Sequence, residues 1–147
     1  KNINFNSLMY KTICIFLFAI NLSLAFSQKV EKENLTQKVK LFWDQGNKKL
    51  QATGSYYTNE RRGNTTEKHG KWLFYSYDGI LEEERNYYRN RIHGLQTIYF
   101  PTKKIKQQTY FTFNVPDSSF KEWNEGGQLI ISGNYDLGSP DGIWEYY

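Results

Sequence analysis

Four aliphatic residues, Leu50, Leu81, Ile105 and Leu129, are each followed six positions later by an aromatic ring: Tyr56, Tyr87, Phe111 and Tyr135. The last two steps between these anchors are 24 residues and the first is 31, so one unit carries a seven-residue insertion around Arg61 to Glu67. A period of this length signals a repeat array, whose units bury their apolar faces only by stacking on neighbours. Other columns keep the same register. Gly54, Arg85, Thr109 and Gly133 lie four residues after the anchors. Gly70, Gly94, Ser118 and Gly142 share a second slot, expected to be a tight turn, with His69, His93, Asp117 or Asp141 just before it. Tyr75, Tyr99, Trp123 and Tyr147 follow that slot by five residues.

Each unit reads as a β-hairpin. Trp72 to Tyr77 and Leu81 to Tyr88 are aromatic-rich runs separated by Asp78-Gly79, a strong hairpin signal that predicts a two-residue turn with φ > 0 at Gly79. Gly127 is expected to play the same part. The third unit departs from the pattern, with Ser118 in the glycine slot and Pro101-Thr102-Lys103 in the loop. Along the strand after Asp78-Gly79, Leu81, Glu83, Arg85 and Tyr87 share one face, and Glu82, Glu84, Asn86 and Tyr88 the other. Rings on both faces predict an all-β fold: a single-layer, curled antiparallel meander of stacked hairpins rather than a thick two-layer core. The structural positions are then Gly70, Gly79, Gly94, Gly127 and Gly142, with the rings Tyr56, Tyr87, Phe111 and Tyr135.

The N-terminal residues carry a different message. Lys11 precedes an apolar run from Thr12 to Ile20 that continues to Ala25-Phe26-Ser27, the form of a secretory signal peptide (a signal helix over 1–27) cut before Gln28. Met9 is an alternative start. Export to the periplasm, cell surface or medium is the expected localisation. Residues 28–40 read as a polar lead-in and 41–147 as one repeat domain of about four units. Cys14 is the sole cysteine, so residues 28–147 hold none and cannot rely on disulfides. Losing Lys1 and Lys11 with the signal lowers the formal charge from +4 to +2, too near neutral to argue for nucleic acid.

Few residues point to chemistry. Glu82-Glu83-Glu84 could supply paired carboxylates, but neighbours on a strand face opposite ways, and a solvated edge is the expectation. His69 and His93, the only histidines, are assigned turn roles. Arg61, Arg62, Arg89 and Arg91 read as solvated loop tips or as a basic patch for an anionic partner or peripheral membrane contact. Neither a nucleophile elbow nor a phosphate loop is present, so the chain is expected to be no enzyme and to use no cofactor and no metal. Trp72, Tyr88, Trp123 and Trp144 are the candidate binding rings.

The runs His69 to Gly79, Tyr87 to Gly94 and Gly133 to Tyr147, with their Tyr, His-Gly, Trp and Asp-Gly columns at a 24-residue step, resemble MORN-type repeats in the bacterial YwqK-like, antitoxin-like variant. The resemblance spans about residues 41–147. It implies an elongated stack of hairpins used for protein association or membrane contact, without enzymatic activity. The partner expected is therefore an unidentified protein or envelope component, bound through the aromatic face. Two other readings stay open. One is a glycan- or peptidoglycan-binding module, which coplanar exposed rings would favour; the other is an immunity-type protein that neutralises a toxin.

Overall fold

The computed structural model describes residues 35–59 and 63–147. The expected signal segment and the first part of the lead-in lie outside them, as do Arg61 and Arg62. The described residues form one open antiparallel sheet and contain no helix. Its strands are β1 (Leu35–Phe42), β2 (Leu50–Asn59), β3 (Gly63–Tyr75), β4 (Leu81–Tyr88), β5 (Arg91–Ile92), β6 (Gly94–Tyr99), β7 (Ile105–Thr112), β8 (Val115–Trp123), β9 (Leu129–Asp136) and β10 (Ser139–Tyr146). Neighbours in sequence are neighbours in the sheet, and the short β5 joins β6 in flanking β4.

The sheet begins earlier than the composition suggests. Residues 35–40 belong to β1, paired with β2 from Leu35↔Tyr57 to Phe42↔Leu50, and are not a lead-in. Sparse aliphatics suffice because Val39 and Leu41 stand on one face of the strand, where they pack against buried Ala52, Trp72 and Tyr87. Lys38 and Lys40 take the other face.

Two kinds of turn alternate along the chain. At the first end of the sheet, Ser76 N donates to Ile80 O (2.8 Å) and Gly79 N to Ser76 O (3.0 Å). This is a three-residue loop, Tyr77-Asp78-Gly79, and not the expected two-residue turn; the last loop residue takes the left-handed conformation. The same bonds recur 24 and 48 residues on, at Phe100–Lys104 and Asn124–Gln128. Gly79, Lys103 and Gly127 hold φ of 81°, 65° and 90°. The degenerate third unit therefore keeps the loop of its neighbours, with lysine in the strained position.

At the opposite end are two-residue turns with both φ positive: Arg89-Asn90, Phe113-Asn114 and Leu137-Gly138. Such turns match the right-handed twist of the flanking strands and favour Asn and Gly. They also fasten each unit to the one before. Asn90 N donates to Lys68 O and its side-chain oxygen accepts from Lys68 N; Asn114 makes the same pair of bonds with Ile92. Gly138 N donates to Pro116 O (2.8 Å). Proline has no N–H to offer, so the third turn loses nothing by lacking the asparagine side chain.

The slot of Gly70, Gly94, Ser118 and Gly142 is not a turn. Each residue has positive φ, between 66° and 102°, at a break in strand register. It marks a β-bulge. In β3, for example, the pairs Thr53↔Leu73 and Ser55↔His69 leave Gly70, Lys71 and Trp72 opposite Gly54 alone. At Gly94 the same bulge separates β5 from β6.

Candidate binding surfaces

The bulge sets where the large rings go. Two residues after it stand Trp72, Gln96, Phe120 and Trp144; Phe120 pairs with Thr109, and Trp72 and Trp144 lie over Gly54 and Gly133. Each tryptophan ring occupies the space a glycine leaves: a Cβ on Gly54 would lie 2.2 Å from the Trp72 ring, and one on Gly133 would lie 2.4 Å from Trp144. Trp72 is 0% exposed and therefore belongs to the core, not to a binding surface. It packs on Tyr56, Phe74 and Tyr87 and donates from Nε1 to Ser55 O (3.0 Å). Trp144 is half-buried against Phe120 and Tyr135, and Trp123 is likewise half-buried.

Between the two tryptophan nests lies a polar stretch of the same face. Arg85 donates from Nε (2.5 Å) and Nη2 (2.6 Å) to Glu83 and from Nη1 to the Tyr87 hydroxyl (3.2 Å), while Gln96 also donates to Glu83. The bonds to Glu83 raise the Arg85 pKa further above its ordinary range. Lys68 sits over the rings of Trp72, Phe74 and Tyr87 at 5.1 to 5.4 Å, and burial followed by the Arg85 charge lowers its pKa. Opposed effects meet there, since ring faces favour the ammonium that burial disfavours.

The acidic run is not a solvated edge. It lies on β4, an interior strand between β3 and β6, so two of its carboxylates are drawn into cross-strand networks. Glu83 serves Arg85 and Gln96. On the other face, Glu84 accepts from Lys71 Nζ (2.6 Å) and the Tyr99 hydroxyl (3.0 Å). The two carboxylates do point to opposite faces, as alternation requires.

Along the turn end runs a chain of rings, Tyr57, His69, Tyr88, His93 and Phe113, with centroid separations of 4.6 to 6.4 Å. The histidines thus serve as ring partners beside the bulges rather than as turn residues. Arg89 covers Tyr57 and pairs with Glu67 (3.0 Å), and Arg91 covers Phe113, so both described arginines of the expected basic patch are spent on rings. Tyr88 and Phe113 stay open to solvent. Only His93 and Phe113 stack; the other contacts are inclined by 46° to 69°.

Phe113 escaped the sequence reading because it is not in an anchor column. Its signal was the Asn90, Asn114, Gly138 column at 24-residue steps, which marks the second residue of each turn and places Arg89, Phe113 and Leu137 at the tips. Among the described residues, no group of three or more His, Cys, Asp or Glu is placed to hold a metal ion. No protein-family model and no curated protein matches the chain.

Proposed function

We propose that this is an exported, non-catalytic repeat scaffold of MORN type, a curled stack of hairpins that binds another protein or an envelope component. The observation that carries the reading is the ledge of inclined rings at the turn end, where Tyr88 and Phe113 are exposed beside Arg91. Exposed aromatic and arginine side chains held by a rigid framework are the usual anchors of protein interfaces. A sugar-binding platform would present coplanar rings. Here the planes of Tyr88 and Phe113 meet at 69°, which favours an irregular protein surface over a flat glycan ring. Recurrence of both turn types every 24 residues supports the repeat assignment, because each unit is clasped to its predecessor through the Asn90 and Asn114 bonds.

The test is affinity capture from envelope extracts with the chain from Gln28 onward, in parallel with a Tyr88→Ala/Phe113→Ala variant. A partner retained by the first and lost by the second supports the reading. Equal capture by both, or retention of peptidoglycan fragments in place of protein, rejects it.

A further inference from the structure

The array builds the same depression twice. At Gly54 the pairs Lys38↔Ser55, Val39↔Gly54 and Lys40↔Thr53 meet the bulge of β3. At Gly133 the pairs Ser119↔Asn134, Phe120↔Gly133 and Lys121↔Ser132 meet the bulge of β10. Each bulge carries its tryptophan to one side of the sheet and spreads the side-chain rows on the other, leaving a hollow over the glycine. The hollows measure about 460 and 430 Å³. Position for position their rims correspond, so the fold dictates the shape and the sequence alone sets the chemistry.

That chemistry differs sharply. Around Gly133 the rim holds Ser119, Lys121, Ser132, Asn134, Ile143 and Glu145, one cation against one anion. Around Gly54 it holds Lys38, Lys40, Lys71, Thr53, Ser55 and Leu73, three cations and no carboxylate. Lys71 shares its charge with Glu84 across the strand. Lys38 and Lys40 are exposed and have no carboxylate partner among the described residues. Every charged group on this rim is a donor, and two hydroxyls can donate as well. The complement is a compact oxyanion with several acceptor oxygens, and Leu73 offers an apolar wall for whatever the anion is attached to.

We propose that the Lys38–Lys40–Lys71 hollow is a binding site for a phosphate or sulfate ester. The site lies apart from the ring ledge and does not rest on the scaffold reading. Lys38 and Lys40 bind the anion directly, Thr53 and Ser55 donate to its remaining oxygens, and Lys71 is held at the rim by Glu84.

The full chain, isotope-labelled, is titrated with phenyl phosphate while the amide signals of Gly54, Ser55 and Lys71 are followed. Saturable shifts confined to this hollow are expected. An exposed ammonium-anion contact is worth about fivefold in affinity, so Lys38→Gln and Lys40→Gln should each weaken binding by about that factor. Lys121→Gln, in the twin hollow, should change nothing. Shifts spread over the sheet, equal loss in Lys121→Gln, or the same shifts with uncharged phenol would overturn the site. Vesicles of phosphatidylcholine with and without phosphatidic acid distinguish the sources. Phenyl phosphate binding with Lys38-dependent attachment to the acidic vesicles identifies a lipid-borne phosphate. Phenyl phosphate binding without attachment identifies a soluble ester. Vesicle attachment with no phenyl phosphate shift rejects the site in favour of diffuse surface charge. Because all three lysines lie on the surface, the variants should keep the melting temperature of the parent, and that measurement accompanies each titration.

Discussion

Trp72 and Trp144 hold the same place in their units, each lying over a glycine and each touching the anchor tyrosine of its hairpin at 5.1 to 5.4 Å. One is sealed and the other is half open. Trp72 is closed from the far side by Tyr87 of the next unit, and the Lys68 chain lies over its ring. Trp144 stands on β10, an edge strand among the described residues, where Ile143 and Tyr146 are exposed; its Nε1 is buried without an acceptor among the described residues. The difference shows how burial is divided in such a stack. A hairpin supplies the glycine floor and one ring, but the lid comes from its neighbour, so the same glycine–tryptophan pair is buried to unequal depth in the two units.

Truncation of the two rings tests this most directly. Trp72→Ala removes a fully buried ring and should cost about 3–5 kcal/mol, the range for large aromatic truncation in a core. Trp144→Ala should cost less than half of that, on the order of 1–2 kcal/mol at ~25 cal/mol per Å² of the smaller buried area. Urea melts of both variants decide it, and equal losses would break the comparison. A milder version adds a methyl group to the floor. Gly54→Ala forces the Trp72 ring against its lid and should cost about 1–3 kcal/mol, whereas Gly133→Ala lets Trp144 swing toward solvent at smaller cost.

What lay open in the sequence was whatever repeats on the scale of one unit: the 24-residue step, the hairpins and the antiparallel single sheet. Glycine at 70, 94 and 142 pointed to turns; the positive φ found there serves a turn and a bulge alike, and only strand pairing tells them apart. Strand β1 was obscured by its lysines, because a half-exposed strand needs only Val39 and Leu41 to join the sheet. Trp72 could not be separated from Trp144, since their burial differs through Tyr87, which belongs to the neighbouring unit. The lysine hollow was equally hidden: Lys38, Lys40 and Lys71 come together only because β2 pairs with β1 on one side and with the bulged β3 on the other.

The polar stretch between the nests gives a third contrast, of medium size. Glu83→Gln leaves the half-buried Arg85 with a neutral partner and should cost about 1–3 kcal/mol, while Glu82→Gln on the opposite, exposed face should be nearly silent. Thermal melts separate them, and a silent Glu83→Gln would mean that the network is ornament rather than support. Glu84 adds a pH signature. Its bond from Lys71, helped by Tyr99 and opposed by burial, lowers its pKa below the ordinary 4.5. A lowered folded-state pKa stabilises the fold at pH values above the unfolded pKa, and that stability fades as pH falls through the folded value. Glu84→Gln should therefore flatten the acid limb of a stability profile below about pH 4.5.

The smallest effect probes the loops that close each hairpin. Gly79 and Lys103 occupy one loop position with φ of 81° and 65°, yet only the lysine is strained by it, because a Cβ in the left-handed region crowds the following carbonyl. Around Gly79 no atom beyond its own chain neighbours lies within 4 Å of where a Cβ would stand, so the cost of Gly79→Val is conformational, about 1–3 kcal/mol for a branched residue. The reverse exchange is the sharper experiment. Lys103→Gly relieves strain of about 1 kcal/mol but returns part of it as unfolded-chain entropy, leaving a net gain of a few tenths to about 1 kcal/mol. A raised melting temperature for Lys103→Gly beside a lowered one for Gly79→Val would establish that the third unit carries the same loop as its neighbours at a local penalty. A loss in Lys103→Gly would mean that the lysine side chain holds the loop in some other way, and the equivalence of the units would end at that turn.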